Sequence, residues 1–322
     1  MTVDLDPGLL SSAEASALGV SRSRLVGGYR RVARGLYVPM DTDLRGPAAR
    51  IAVVARQLPA GFAGGGWAAA RLHEASVRPD SDELTVFDGR LPEMDPEART
   101  SLPIMVCCGP TRRRRPGPGT VLFRSELAAD DVTTVSGVPV TSAARTAFDL
   151  ARLWPTTAGV VALDRLRALG AVSGAEVAEE VAAHPSWQGV ERARLAVSLS
   201  SDGVESPRET MMRLLWLAAG LPRPACNAVV HRVGGGFLAR PDLLDDAVGL
   251  VAEYDGEHHA PAPRRRSDAA RQEAMESAGL VVVRAHDGDI SDPAGRRQWS
   301  LRLRAAHARA SSAPRPRSWR VH

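Results

Sequence analysis

The chain contains no lysine; all 41 of its basic residues are arginine. A GC-rich genome accounts for the bias, but the chemistry that follows is real. Arginine keeps its charge and grips phosphate through two parallel hydrogen bonds, yet it is a poor general base. A reaction that needs a lysine is excluded here unless another group does its work. Cysteine is almost as scarce: Cys107, Cys108 and Cys226 are the full set. An odd, sparse count excludes a disulfide framework, and the spacing fits no zinc site. Cys107-Cys108 reads instead as the end of a buried strand running from Leu102. No apolar run approaches the ~18 residues that cross a bilayer. The first residues, Met1-Thr2-Val3-Asp4-Leu5-Asp6, carry acid and no apolar stretch, so no signal peptide and no membrane association are expected, and the expected location is cytoplasmic. The 322 residues exceed one typical core, which predicts two or three domains, and the net charge of +4 is modest for that length.

Residues 10–39 read as helix, turn, helix and hairpin. Ser11-Ser12-Ala13-Glu14 has the pattern of a capped helix start, Leu18-Gly19-Val20 is a turn, and Ser21 caps a second helix, Arg22 to Val26. Two short strands around Arg34-Gly35 complete a winged helix-turn-helix within a domain spanning 1–45. In that arrangement the second helix enters the major groove, with Ser21, Arg22, Ser23 and Arg24 near bases or phosphates. Arg30, Arg31 and Arg34 on the wing then touch backbone. A plain protein-docking module fits this short segment equally well.

Residues 46–200 form a mixed α/β middle domain with a helical linker. Helices are expected over Ala48–Leu58, Trp67–Leu72, 158–169, 173–183 and 189–199, and strands over Glu83–Phe87 and Leu102–Cys107. Thr111 to Gly119 holds four consecutive arginines, Arg112 to Arg115, and reads as a basic surface turn. Thr141 or Ser142 caps a helix from Ala143 to Ala151. No catalytic constellation stands out here, and a scaffold role is the default. The tail over 307–322 is rich in Pro, Ser and Arg and is expected to be disordered. From residue 302 onward it has six arginines and no acid, so it would attract nucleic acid only weakly.

The chemistry is concentrated in residues 204–300. Ser206-Pro207-Arg208-Glu209 has Ser at N-cap, Pro at N1 and Glu at N3, the pattern of a capping box, and opens a helix that stops at Gly220. Strands follow over Ala228–Val233, Phe237–Leu244 and Val248–Asp255, then a helix over Asp268–Ala278 and a strand over Leu280–Arg284. The third strand delivers Glu253 and Asp255 two residues apart, so both point to one face. Asp242 lies on the preceding strand. Carboxylates crowded in this way repel unless a divalent cation lies between them, which points to Mg²⁺-dependent phosphodiester cleavage.

The order helix, three strands, helix, strand, with Asp242 on the second strand and Glu253 on the third, resembles the PD-(D/E)xK nuclease superfamily. Within it the branch related to the very-short-patch-repair (Vsr) mismatch endonucleases is the nearer likeness. The motifs are Ser206-x-x-Glu209, Arg240-x-Asp242, Glu253-x-Asp255-Gly256-x-x-His259, Asp268-x-x-Arg271 and Val283-Arg284. Residues 1–200 resemble an AbiEi-type antitoxin, an N-terminal winged helix followed by a domain with Thr141-Ser142-x-x-Arg145-Thr146-x-x-Asp149-Leu150. The resemblance implies a restriction-endonuclease-like αβββαβ core with Mg²⁺ or Mn²⁺ held by Asp242, Glu253 and Asp255, and with Glu209 on the metal or a bound water. His258 or His259 would supply acid-base chemistry, while Arg271 and Arg284 would face phosphate. The superfamily lysine is replaced by Asp255. The expected function is a metal-dependent DNA endonuclease targeted by its N-terminal domain, in phage defence, toxin-antitoxin or repair, with DNA and a toxin or other protein as partners. The alternative is an inactive DNA-binding regulator or antitoxin with a nuclease-like domain. Plainer roles compete at each residue: Asp242 as a strand end, Asp255-Gly256 as a turn, Glu209 as the N3 cap partner, and the histidines and Arg264–Arg266 as exposed surface. The geometry also has a gap. A tight hairpin centred on Asp245-Asp246 sets Asp242 opposite Gly249, not Glu253, so a bend, bulge or wider loop is required.

Overall fold

A computed structural model describes residues 7–78, 86–91, 101–112, 115–256, 262–312 and 317–321. The expected strand over Glu83–Phe87 falls mostly outside them, as does His258, and the side chains of Arg264–Arg266 lie outside them as well. The contacts divide the chain into two compact units that do not follow the divisions at 45, 200 and 204. The first takes residues up to 91, 101–154 and 169–190; the second takes 155–168 and the chain from 191 onward.

The first unit opens with β1 (Leu10–Ser11), α1 (Ser12–Ala17), α2 (Arg22–Gly28), β2 (Tyr29–Ala33) and β3 (Leu36–Pro39). The α1 start is a closed capping box: Ser11 Oγ accepts from Glu14 N at 3.1 Å, and the Glu14 carboxylate accepts from Ser11 N at 2.7 Å. Ser21 Oγ caps α2 by accepting from Arg24 N at 3.3 Å. The three strands pair in the order β1-β3-β2, turned at Gly35, whose φ of +70° suits a residue without Cβ. α3 (Pro47–Ala55) closes a small core of Leu9, Leu36, Val38 and Ala52. β4 (Ala63–Gly65), α4 (Gly66–Val77), β5 (Ile104–Cys107), β6 (Thr120–Phe123), β7 (Val132–Val135) and β8 (Val138–Thr141) follow. Their strands form a mixed sheet in the order β6-β5-β4-β8-β7. α5 (Ala143–Leu153) begins at Ser142, whose Oγ accepts from Arg145 N at 3.2 Å. α6 (Thr156–Ala168) belongs to the second unit, α7 (Gly174–Ala183) to the first, and α8 (Val190–Leu199) to the second from Glu191 on.

The second unit continues with α9 (Pro207–Ala218), β9 (Ala225–Cys226), β10 (Val230–Arg232), β11 (Phe237–Ala239), β12 (Leu243–Asp245) and β13 (Leu250–Tyr254). α10 (Ala262–Ser277), β14 (Val281–Ala285), α11 (Asp287–Ser291), α12 (Pro293–Ser312) and β15 (Trp319–Val321) complete it. Its main sheet runs β14-β13-β12-β9, with β13 and β14 parallel and the other pairs antiparallel. Leu244 and Val251 face Met275 and Ala278 of α10 in one core cluster. Alternation along the strands turns Leu243, Leu250 and Ala252 to the other face, the side of α9 and α12. A buried ion pair ties α6 to α9: Arg213 Nη2 donates to Asp164 Oδ2 at 2.6 Å, and Thr210 and Ser200 also donate to Asp164. The expected disordered tail is a correction. α12 extends to Ser312, and β15 pairs with β10 while placing Trp319, 3% exposed, in the α10 core. One aromatic surface outweighs the polar composition around it.

Candidate functional site

The site is built by a break in the chain at Arg240-Pro241-Asp242, where one expected strand becomes β11 and β12. Pro241 offers no N–H to a ladder, so pairing ends on either side of it. β12 then returns as β13 through a four-residue loop, Asp246 to Gly249, closed by Gly249 N donating to Asp245 O at 2.8 Å. The register is Leu243↔Ala252, Leu244↔Val251 and Asp245↔Leu250. One step further sets Asp242 across from Glu253. The wider loop therefore closes the gap that a tight hairpin leaves.

Asp242 Oδ2 accepts from Tyr254 N at 2.7 Å, so its carboxylate sits at the end of the β13 ladder. Burial pushes the Asp242 pKa up to about 6; the Tyr254 amide opposes that rise, Glu209 and Glu253 add to it, and Arg271 also opposes it. These three acids and one arginine act on a shared region. Glu253 is 4% exposed, and Arg271 of α10 donates from Nη2 to its Oε1 at 2.5 Å. Glu209 accepts from Asn227 Nδ2 at 2.7 Å and from Glu205 N at 3.0 Å. Only half of the expected capping box forms at α9. Ser206 Oγ accepts from Glu209 N at 3.2 Å, but the Glu209 side chain reaches the residue before the cap. Asp255 pairs with Arg284, whose Nη1 donates to Oδ2 at 3.4 Å. Beside it, Tyr254 Oη donates to Asp287 Oδ1 at 3.1 Å, and Arg208 pairs with the same carboxylate at 2.6 Å.

This arrangement does not suit a divalent ion. Among the described residues no three His, Cys, Asp or Glu side chains are grouped to hold a metal. Arg271 occupies the Glu253 carboxylate, Arg284 is engaged by Asp255, and Asn227 holds Glu209. Arg271 and Arg284, expected to face phosphate, pair here with Glu253 and Asp255. Each guanidinium is turned onto a carboxylate of its own sheet face, and no catalytic step is derived through a metal here. Residue spacing did not mark Asn227, which adopts φ +50° and bridges Gly203 O to Glu209, or Tyr254; asparagine's tolerance of left-handed backbone was the one hint for the former.

The N-terminal residues lie differently. Ser21, Arg22, Ser23 and Arg24 are all exposed on the first turn of α2. Arg30, Arg31 and Arg34 are exposed on the β2–β3 hairpin. Arg30 donates to Thr42 O at 2.8 Å and Arg31 to Ala33 O at 3.1 Å, which braces both against backbone. Among the described residues none of these five arginines pairs with a carboxylate.

The region read as scaffold holds a further charge array. Arg145 Nη1 donates to Asp131 Oδ2 at 2.8 Å and its Nε to Asp149 Oδ2 at 3.1 Å, while Arg152 Nε donates to Asp149 Oδ1 at 2.7 Å. Arg145 and Asp149 are 1% exposed and Arg152 3%. Both guanidinium groups stack on Trp187, at 4.5 and 5.1 Å from the ring centre. Thr141 and Thr146 hydroxyls share a 2.6 Å hydrogen bond beside them, and His73 Nε2 meets Thr141 O at 2.8 Å.

These features define a multidomain α/β protein with an exposed basic helix-hairpin module and an acidic sheet end that arginines neutralise only in part. Residues 82–197 match the family described as AbiEi antitoxin C-terminal domain, and the buried Asp131–Arg145–Asp149–Arg152 array lies inside that match. The chain is also similar to uncharacterised proteins of Mycobacterium tuberculosis strains CDC 1551 and H37Rv, each 26% identical over 271 residues, covering 84% of this chain and 90% of the relative. No solved structure matches it. No helix among the described residues is long and apolar enough to cross a membrane.

Proposed function

We propose that this protein is a DNA-binding regulator of antitoxin type, in which α2 and the β2–β3 hairpin contact duplex DNA. The observation that carries the reading is the set of exposed arginines Arg22, Arg24, Arg30, Arg31 and Arg34, free of carboxylate partners among the described residues. Side chains left in that state on a helix start and a hairpin suit phosphate contact, and Ser21 and Ser23 add hydroxyl donors. The likeness of residues 82–197 to an antitoxin domain supports the regulatory half of the reading and a protein toxin as a second partner. The C-terminal unit then serves as a binding or structural element, a reading supported by the protein partners that Glu253, Asp255 and Glu209 have in Arg271, Arg284 and Asn227.

The test is duplex binding by fluorescence anisotropy across a salt series. Arg22→Ala with Arg24→Ala should weaken binding at least tenfold on any sequence and flatten the log K against log salt slope by about 2. Unchanged affinity and slope would remove the assignment. A second reading, a metal-dependent DNA endonuclease, draws on one observation: the β12–β13 register that sets Asp242 across from Glu253. Plasmid nicking in Mg²⁺ or Mn²⁺ that disappears in an Asp242→Ala, Glu253→Ala variant would favour it, while equal background in both proteins would dismiss it.

A further inference from the structure

We propose that a cleft in the first unit is a binding site for a small apolar molecule carrying an anionic group. The cleft lies between α3, the β5–β6 strands and the basic turn that precedes β6, is open to solvent on one side, and has a cavity volume of about 50 Å³. That volume has room for about four water molecules, enough for one aromatic ring or a short aliphatic chain, so the cleft takes the apolar end of a ligand and not the whole of a drug-sized one. Its walls come from two separate cores. Val32 and Val53 pack on the N-terminal core of Leu36 and Val38. Val54, Leu58 and Leu122 pack on a second cluster, Phe62, Val106 and Cys108. The two cores do not close on each other in this cleft, and the apolar surface between them is half-buried.

Charge selects the occupant. Among the described residues the lining carries one charged side chain, Arg115, and no carboxylate. The Arg112 guanidinium lies against Gly61, next to the lining residue Phe62: a Cβ added at Gly61 would come within 3.0 Å of it. Two of the four consecutive arginines that the sequence marks as a surface turn thus border an apolar cleft. The rim is also held in shape, since Thr120 donates from both N, at 3.1 Å, and Oγ1, at 2.8 Å, to Gly117 O. An apolar floor, exposed arginines at one edge and no carboxylate among the described lining residues match an aliphatic or aromatic carboxylate, sulfonate or phosphate. The cleft also reaches Val32, the neighbour of Arg31 on β2, so an occupant would bear on the strand that carries the hairpin arginines.

The test uses the full chain and anilinonaphthalene sulfonate, an apolar anion that fluoresces when desolvated. One saturable site is expected. Arg115→Gln should weaken it about tenfold, and the uncharged phenylnaphthylamine should bind wild type about tenfold more weakly than the sulfonate. Val54→Trp should abolish binding by filling the cleft, and Leu122→Trp, from β6, provides the same check should the first variant not fold. Binding that never saturates, or that survives a folded tryptophan variant undiminished, overturns the site. Equal affinity for the neutral and anionic probes overturns its preference for anions.

Discussion

The buried charges of the first unit and the acidic sheet end of the second are built from the same side-chain types and come out opposite. Around α5, two carboxylates meet two guanidinium groups in an alternating row, Asp131, Arg145, Asp149, Arg152. Formal charge cancels, and an indole caps the cations. At the end of β12 and β13, Glu209, Asp242 and Glu253 share a region with Arg271, and the sum among these side chains is −2. The consequence is visible at Asp242, whose burial and neighbouring acids push its pKa up to about 6. A balanced array holds its place by mutual pairing. An unbalanced one stores unfavourable energy, which folded proteins tolerate mainly where a partner or a reaction uses it.

The balanced array should respond most strongly to a single change. Arg145→Met removes the residue that joins Asp131 to Asp149 and leaves Asp131, 12% exposed, without its guanidinium. Breaking a buried ion pair from one side costs about 3–5 kcal/mol. Hydrogen exchange of the first-unit amides measures it, since the loss should be confined to that unit. A loss under about 1 kcal/mol would mean that water reaches the array and that its pairs are worth no more than surface ones.

Asp242→Asn should act in the reverse sense. The folded-state pKa is raised from 3.8 to about 6, so the native protein binds the Asp242 proton more tightly than the unfolded chain does. Stability from this group therefore rises as pH falls from about 6 toward 4, and is lost as pH climbs through 6. The charged form costs at most about 3 kcal/mol above that range. Asparagine stays neutral and still accepts from Tyr254 N, so the variant should be about 1–3 kcal/mol more stable than wild type at pH 7.5 and equal to it near pH 4. Parallel urea-midpoint profiles for the two proteins across that interval would refute the origin assigned to the shift.

Both regions could be read in part from the residues alone, and the failures have physical causes. Ser11, Ser21 and Ser142 cap helices as their spacing predicts, because caps are local. Asp242, Glu253 and Glu209 could be picked out as a group by type and order. Their pairing could not, because it depends on a loop of four residues instead of two, and that choice is made by Pro241 breaking the ladder and by Gly249 at φ +73°. Arg271 as an ion-pair partner was out of reach, since an arginine on a polar helix reads as solvent-facing until a tertiary contact recruits it. For the same reason Arg145 reads as exposed, arginine being almost never fully buried without a partner. The order of the tail, by contrast, had a visible signal in Trp319, which composition averaged away.

The smallest expected stability effect gives the sharpest comparison. Arg271 is 41% exposed on its side chain, so Arg271→Gln should cost about 1 kcal/mol or less through the lost pair. What it changes is the charge at the sheet end, from −2 to −3 among the four side chains. If Arg271 stands in for a cation, removing it should make the site bind one. Ten millimolar Mg²⁺ should then raise the melting temperature of Arg271→Gln by about 1–3 °C while leaving wild type unmoved, because a ligand that binds only the native state stabilises by mass action. Adding Asp242→Asn to Arg271→Gln should cancel the response. Should wild type itself melt higher in Mg²⁺, with the gain lost in Asp242→Asn, the arginine gives way to the ion. The second unit would then hold a metal site, and the contrast with the α5 array would become one between a structural set of charges and a cation-binding one.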